Sequence, residues 1–263
     1  MSDERPDMGS ATGSRHLCVA VTALCVLAMV APCGCRPRAE RDDGSTLWID
    51  DQDLPSFSKP KGPRITRVRV VGIQYPWSAL LKGPDPGGNV DLSPLAKLPL
   101  KELEIMACIG VRDLSPIRGM RLRRLWLYKS GVRDLSPLRG MPLERLEVVG
   151  GVSDLSPLRG MRLSYLDVAS TDVSDVSPLR GMPLRHLDIS AWGKAKITDL
   201  RPLEGMRLEH LRFKPSQVER GIEVIRAMKS LRTINDKPAE EFWREYDARR
   251  GPGAGGESPK LGK

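Results

Sequence analysis

The feature that most constrains the fold is a sequence motif of about twenty residues that occurs six times in succession. In the third copy it reads VRDLSPLRGMPLERLEV, beginning at Val132, and the other copies differ from it at only a few positions. So short a segment cannot bury its apolar side chains alone, and stacked copies must supply the core. The sequence therefore predicts an α/β repeat solenoid. Equivalent apolar positions in the six copies are Leu92, Leu114, Leu135, Leu155, Val176 and Leu200.

Every copy ends in a strand-like unit with the pattern L-x-x-L-x-L-x. Leu122, Leu125 and Leu127 give one example, and Leu143, Leu146 and Val148 the next. Apolar and polar residues alternate over the second half of the unit, which is the period of a strand with one buried face. Positions three, five and seven then project from the opposite face. Stacked units predict a parallel sheet with strands about 4.8 Å apart.

A turn signature, D-L-S-P-L-R-G-M, precedes each strand unit. In the copy at 134–141, Ser136 is expected to cap a short helical or 3-10 turn, Pro137 to occupy its first position, and Gly140 to end it. Only three or four residues lie between the cap and the glycine, enough for a single turn. Each repeat is thus predicted to be one strand, a loop, one tight turn and a return.

These motifs resemble the leucine-rich repeat family, in particular the short bacterial class typified by the internalins. That class places D-I-x-P-L after the strand, where this chain has D-L-S-P-L at 134–138. The resemblance covers residues 90–217 and implies a right-handed superhelix, with a parallel sheet on the concave side and short turns on the convex side.

The chain departs from the family where an asparagine normally joins adjacent layers. We therefore expect irregular turns there, and a bulge at the insertion near 192–196. The residues that replace the asparagine are Cys108, Ser130, Gly151, Thr171, Trp192 and Ser216.

The N-terminus has the pattern of a secretory signal. Arg15 precedes sixteen uncharged residues, 17–32, a stretch too short for a stable membrane span. We therefore assign residues 1–35 to a signal peptide. Cys35 after Gly34 resembles the lipid-accepting cysteine of bacterial lipoproteins, although Pro32 and Cys33 depart from that motif. Lipid attachment at Cys35 and simple cleavage of the signal both stay open.

The remaining boundaries follow from composition and periodicity. Residues 36–63 are charged and rich in proline and serine, which indicates a flexible linker, although its few apolar side chains could cover the first layer. The repeat domain is predicted at 64–217, with a degenerate first strand at 64–72. A helical cap is expected at 218–250, with helices over 218–231 and from Pro238. Residues 251–263 should be disordered.

Little in the chain indicates catalysis, and we predict that it is not an enzyme. His186 and Asp188 could point the same way, but no nucleophile is aligned with them, and a polar surface pair is the simpler interpretation. No cofactor loop or metal-ligand spacing is present. The recurrent aspartates are expected to bond within their own loops. They are Asp113, Asp134, Asp154, Asp175 and Asp199.

The predicted concave face carries aromatic and arginine side chains among charged neighbours, the residue types that dominate protein interfaces. We expect an exported, monomeric module that binds a protein, with chance placement of a few rings as the alternative interpretation. The candidate residues are Arg124, Trp126, Tyr128, Arg145, Glu147, Tyr165, Asp167, His186 and Asp188.

The convex side offers a second surface, because one arginine per repeat should align into a basic stripe. The stripe comprises Arg118, Arg139, Arg159 and Arg180, in a chain of net charge +9. A structural or adhesion role, in which the stripe contacts anionic envelope polymer, is the alternative function. Repetition of the unit also explains the stripe without any binding. We expect no nucleic acid partner for an exported chain.

Overall fold

A computed structural model describes residues 46–50, 66–71, 90–190 and 195–250 of the chain. These residues form one sheet whose strands follow chain order, each beside the next. Strands β1 to β9 are parallel, and a short β10 returns antiparallel to β9. Short 3-10 turns alternate with the strands from residue 93 onward. The arrangement fits the predicted repeat solenoid.

The strands are longest in the first half of the sheet. They are β1 Thr46–Asp50, β2 Arg67–Val71, β3 Glu102–Met106, β4 Arg124–Tyr128, β5 Arg145–Val149, β6 Tyr165–Asp167, β7 His186–Asp188, β8 His210–Arg212, β9 Thr233–Ile234 and β10 Lys237–Pro238. Two helices follow or interrupt the last strands, α1 at Ile222–Ala227 and α2 at Ala239–Arg250.

The core is built from the same positions in every layer, as predicted. Leu125, Leu146, Leu166 and Leu187 are direct neighbours in the register, and each is fully buried. The leucine or isoleucine of each turn, the methionines after the turn glycines and the valines that open the second to fifth copies are buried with them, whereas Val90 at the start of the first copy is only half-buried. The layers therefore bury one continuous apolar interior, as a stack of short repeats requires.

The turns are 3-10 helices of three residues, and their cap differs from the prediction. The serine is the first residue of the turn and the proline the second, as at Ser136–Leu138. The side chain that caps is the aspartate two residues earlier, because Oδ1 of Asp134 accepts the N–H of Ser136 at 2.7 Å. The prediction of a serine cap was wrong, whereas the local bond of the aspartate is confirmed. Gly140 ends this turn at φ +74, a left-handed angle that favours glycine.

The N-terminal end of the sheet corrects one boundary. Residues 46–50, which the sequence analysis placed in a flexible linker, form β1 and pair in parallel with β2. The predicted first layer is present as β2, where Val68 and Val70 are fully buried. The predicted signal peptide at 1–35 with Cys35, the rest of the predicted linker, Trp192 and the predicted tail at 251–263 lie outside the described residues.

The C-terminal end contains more β-structure and less helix than predicted. The first helix spans only Ile222–Ala227 rather than 218–231, since Pro215–Gln217 forms a further 3-10 turn and Arg220 pairs with Asp199 in a parallel bridge. The second helix starts at Ala239, directly after Pro238, as expected. Strands β9 and β10 were missed; they form a hairpin that extends the sheet beyond residue 217.

Hydrogen bonds of other kinds occur at the positions where the resemblance noted above leads one to expect asparagine. Cys108 is fully buried, and its Sγ lies 3.3 Å from the carbonyl oxygen of Met106 and 3.6 Å from that of Val70 in the preceding layer. Thr171 donates its hydroxyl to the carbonyl of Val168 at 2.6 Å. Irregular backbone accompanies these residues, because Ala107, Lys129 and Ser170 all have positive φ.

Candidate binding face

The candidate residues lie on one face of the sheet, which we call the open face: the side of β2–β9 opposite the leucine core. The register places them in two rows across the strands. The outer row contains Arg67, Glu102, Arg124, Arg145, Tyr165, His186, His210 and Thr233. The inner row contains Arg69, Glu104, Trp126, Glu147, Asp167, Asp188 and Arg212.

Four of the predicted residues meet around Arg145. Its Nε donates to Oε1 of Glu147 at 2.6 Å, and the same carboxylate oxygen accepts the indole N–H of Trp126 at 2.5 Å. The guanidinium carbon of Arg145 lies 3.7 Å from the ring centre of Tyr165 and 5.9 Å from that of Trp126. Glu147 thus fixes both the arginine and the tryptophan, and the arginine packs against rings of the two neighbouring strands, β4 and β6.

A row of planar groups continues from Arg145 towards the C-terminus. The rings of Tyr165 and His186 stack with centres 4.0 Å apart and planes within 10° of parallel. His210 follows, its ring centre 5.7 Å from that of His186, and its Nδ1 lies 2.8 Å from Oγ1 of Thr233. We call Arg145, Tyr165, His186 and His210 the planar stack. It follows the strand spacing, because each member occupies the same register position.

Two aspartates lie beside the planar stack in the inner row. Asp167 and Asp188 are register partners, and each accepts the N–H of the residue two positions on, Ala169 and Ser190, at 2.9 Å. These bonds divert that N–H from the sheet, as an aspartate turn does, and strands β6 and β7 accordingly end at their aspartates. Asp188 is only 2% exposed and pairs with Arg212 at 3.2 Å.

The pKa values in this region depart furthest from their ordinary values. Burial, followed by the charge of Asp188, raises the pKa of Asp167 to about 7. Burial, followed by the charge of His210, lowers the pKa of His186 to about 4. Burial and the charge of Glu147 raise the pKa of Tyr165 above its usual value. His186 and Tyr165 are therefore uncharged at neutral pH, whereas Asp167 titrates there.

His186 and Asp188 do not form the pair that a general base would need. The ring of His186 stacks on Tyr165, while the carboxylate of Asp188 accepts hydrogen bonds from Ser190 and pairs with Arg212. Each side chain already has a different neighbour. Contrary to the expected polar surface pair, Asp188 is a buried carboxylate that is ion-paired with Arg212, and only His186 is partly exposed.

The remaining candidates lie towards the N-terminal strands. Arg124 is 45% exposed and pairs with Glu102 at 3.5 Å rather than joining the planar stack. Tyr128 lies at the end of β4, with Nζ of Lys129 5.5 Å from its ring centre. Glu102 also accepts from Arg67 at 2.6 Å, and Arg69 pairs with Glu104. This part of the open face is a network of opposite charges, unlike the ring-rich part on β5–β8.

Four contributors to the ring-rich part, His210 of the planar stack among them, were not among the predicted site residues. Arg212 and Asp236 form an ion pair at 3.3 Å beside Asp188, and Thr233 contacts His210. Asp236 and Thr233 belong to the hairpin of β9 and β10, whose two connecting residues, Asn235 and Asp236, both have positive φ. An Asn-Asp pair between short strands is the sequence signal that could have located this hairpin.

The turn side of the layers carries the predicted arginine stripe. Arg118, Arg139, Arg159 and Arg180 each follow a 3-10 turn with nearly the same backbone angles, and all four are exposed. None of them lies within 4 Å of a carboxylate in the described part of the chain. The recurrent aspartates lie near them, since Arg118 and Arg139 help to lower the pKa of Asp134 and Asp154 respectively.

Two kinds of feature are absent from the described residues, and two comparisons with known proteins found no match. Within the described ranges, no group of three histidine, cysteine, aspartate or glutamate side chains is arranged to hold a metal ion. None of the helices in those ranges is long and apolar enough to cross a membrane. No protein-family model matches this sequence, and no curated protein matches it.

Proposed function

We propose that the chain is a leucine-rich-repeat module that binds a protein partner through the open face of its sheet at the bacterial cell envelope. The observation that carries this proposal is the planar stack with Trp126 beside it. Rings and arginines of this kind contribute most of the energy at protein interfaces, especially when their conformations are fixed before binding. Here Glu147 holds Arg145 and Trp126, and the stacked rings of Tyr165 and His186 hold each other.

A binding role suits the repeat architecture of the fold. The layers from β2 to β8 each present one outer-row and one inner-row position, and the strands hold them at a fixed spacing of about 4.8 Å. The resemblance to the internalin class supports a right-handed superhelix with this face on its concave side. We favour binding over catalysis because the ring of His186 stacks on Tyr165, while the carboxylate of Asp188 pairs with Arg212.

Partner capture tests the proposal. The full chain carrying a photo-crosslinking residue at Val149, beside the planar stack, should capture a protein in the native envelope. Tyr165→Ala should abolish that capture, because it removes the central ring, whereas the Arg159→Ala control on the opposite side should retain it. Circular dichroism should show that both variants are folded. Equal capture by both variants would contradict the proposal.

Location at the envelope is a separate part of the proposal and rests on the signal-like segment before residue 36. Mass spectrometry of the mature N-terminus tests it. A diacylated N-terminal Cys35 would support membrane anchoring, and an unmodified residue further on would indicate a cleaved, released protein. Retention of residues 1–35 in the mature chain would contradict export.

A structural or adhesion role through the arginine stripe is the second candidate. Four exposed guanidinium groups without a carboxylate within 4 Å favour it, and they recur at equivalent positions of four consecutive layers. Salt separates the two candidates. Binding through the stripe to an anionic polymer should weaken steeply between low and moderate salt, and binding through the open face should instead fail in Trp126→Ala.

A further inference from the structure

Asp167 is the one carboxylate of the inner row on β5–β7 that forms no ion pair within 4 Å with another described residue, although Arg212 acts on its pKa from further away. Glu147 is paired with Arg145 and Asp188 with Arg212, but no basic side chain among the described residues lies within 4 Å of Asp167. It accepts only the N–H of Ala169. Its second oxygen therefore has unused capacity to accept hydrogen bonds.

Two further acceptors lie on the same part of the open face: Tyr165 is two residues before Asp167 on β6, and His186 is the register partner of Tyr165 on β7. No hydrogen bond joins the hydroxyl of Tyr165 or the ring nitrogens of His186 to another described residue. No buried side-chain nitrogen or oxygen in the described ranges lacks a partner, so these atoms reach solvent. The carboxylate of Asp167 acts on the pKa of Tyr165, and that of Asp188 on the pKa of His186, which places the acceptors near the same negative charges.

The geometry restricts how a ligand can approach. Arg145 covers one face of the Tyr165 ring at 3.7 Å, and His186 covers the other at 4.0 Å. A ligand therefore meets the edges of the rings, where their polar atoms lie, and not their faces. Neutral imidazole offers one acceptor nitrogen, and the phenol oxygen and the carboxylate are acceptors as well. Such a set suits a group that carries several donors.

Charge selects the same kind of group. Across β5–β8 the open face carries three carboxylates and two guanidinium groups, although the whole chain has a net charge of +9. With Asp167 ionised, this part of the face therefore carries one net negative charge on a basic protein, which favours cations over anions. We propose that Tyr165, Asp167 and His186 together bind the cationic end of a lysine or arginine side chain presented by the protein partner. The inference rests on the proposed function and names the chemistry of its partner.

The titration of Asp167 gives this site a pH dependence. Its neighbours are Glu147 and Arg145 on β5, Asp188 and His186 on β7, and Arg212 on β8, and its pKa is about 7. A bound cation favours the charged carboxylate, so binding releases a proton wherever Asp167 is protonated in the free protein. Affinity for a cation should therefore rise from pH 6 to pH 8.

Small fragments test the proposal without knowledge of the partner. The probes are propylguanidinium and its neutral analogue propylurea, added to the full chain while the ring resonances of Tyr165 and His186 are followed by NMR. We expect saturable shifts with propylguanidinium, stronger at pH 8 than at pH 6, and none with propylurea. Asp167→Asn keeps the acceptor for the N–H of Ala169 and should weaken binding about five-fold, a typical effect for one ion pair.

The matched control is Asp172→Asn, which makes the same change of charge at an exposed aspartate outside the open face. This variant should bind propylguanidinium like the unmodified chain. Equal binding by the two variants, or equal shifts with propylurea, would overturn the inference. If Tyr165→Ala still abolished partner capture in that case, the proposed function would stand and only the cationic contact would fail. If capture were also unaffected, both would fail.

Discussion

The two sides of the sheet differ in how much they vary from layer to layer. On the buried side, the same register position is occupied by Leu125, Leu146, Leu166 and Leu187, and each of them packs in the core in the same way. On the open side, the corresponding row changes from arginine to tyrosine to histidine. A leucine stack needs the same shape in every layer, because each layer packs on the next. Residues on the open side do not pack between layers in this way, so their identities can differ from layer to layer. The features that distinguish this protein from other repeat stacks therefore lie on the open side.

The largest expected effect comes from placing a charge on the repeated side. Leu146→Asp should lose at least about 4 kcal/mol of unfolding free energy, since an unpaired carboxylate would replace a fully buried side chain. Val149→Asp, on the same strand but on the open face, should change it by less than about 1 kcal/mol. Urea unfolding measures both. Similar losses in the two variants would show that the sides do not differ as described.

A second, smaller loss should appear where the repeated side meets the cap. Gly221 has φ +88, and a Cβ at this position would lie 2.5 Å from the backbone nitrogen of Arg201. Gly205 has φ +74, but open space surrounds its Cβ position. Gly205→Ala should therefore cost about 1 kcal/mol for its backbone angle alone, and Gly221→Ala roughly 2–3 kcal/mol because backbone must also move.

Thermal unfolding of the two alanine variants checks this difference. The comparison is matched, because both substitutions replace glycine at a left-handed angle and differ in the space around the new methyl group. Equal destabilisation would mean that the backbone of the layer before the cap can shift at little energetic cost. The cap would then not be packed tightly against the last repeat.

The sequence predicted the repeated side far better than the ends. Spacing alone located the buried leucines, the order of strands and the rows of the open face, because stacking forces equivalent residues into register. It placed the cap on Ser136 rather than Asp134, since serine and aspartate are both good caps and only geometry separates them. It missed β1 and the hairpin of β9 and β10, which pair with the stack without carrying its leucine pattern.

The candidate site was predictable as a list of residues but not as a set of contacts. Alternation showed that Arg145, Glu147, Tyr165 and His186 share a face. It could not show that Glu147 binds both Arg145 and Trp126, or that Tyr165 stacks on His186, because those contacts depend on side-chain rotamers across strands. Only the positions of the arginines on either side show that Asp167 forms no ion pair within 4 Å with another described residue.

A still smaller effect should follow from removal of a turn cap. Asp134→Ala should cost about 1 kcal/mol, because the N–H of Ser136 loses its acceptor. Asp134→Asn keeps an oxygen at that position and should recover most of the loss. Urea titration of the two variants separates the hydrogen bond from the charge, and an equal cost for both would assign the effect to charge instead.

The smallest expected effect distinguishes the open side by its response to pH. Asp167 has a folded pKa of about 7 against an ordinary value of 3.8, so the folded chain binds the extra proton between these values. Its contribution to stability is therefore favourable below about pH 4 and is lost as pH rises through 7. Asp167→Asn has no such titration. Its unfolding free energy relative to the unmodified chain should therefore rise from pH 4 to pH 8. Asp172→Asn, at an exposed position, should show no such rise. A parallel pH profile for the unmodified chain and Asp167→Asn would mean that the negative charges of Asp188 and Glu147 are already neutralised in the folded protein. The open face would then differ from the buried side in composition, but not in the electrostatic cost of holding a carboxylate.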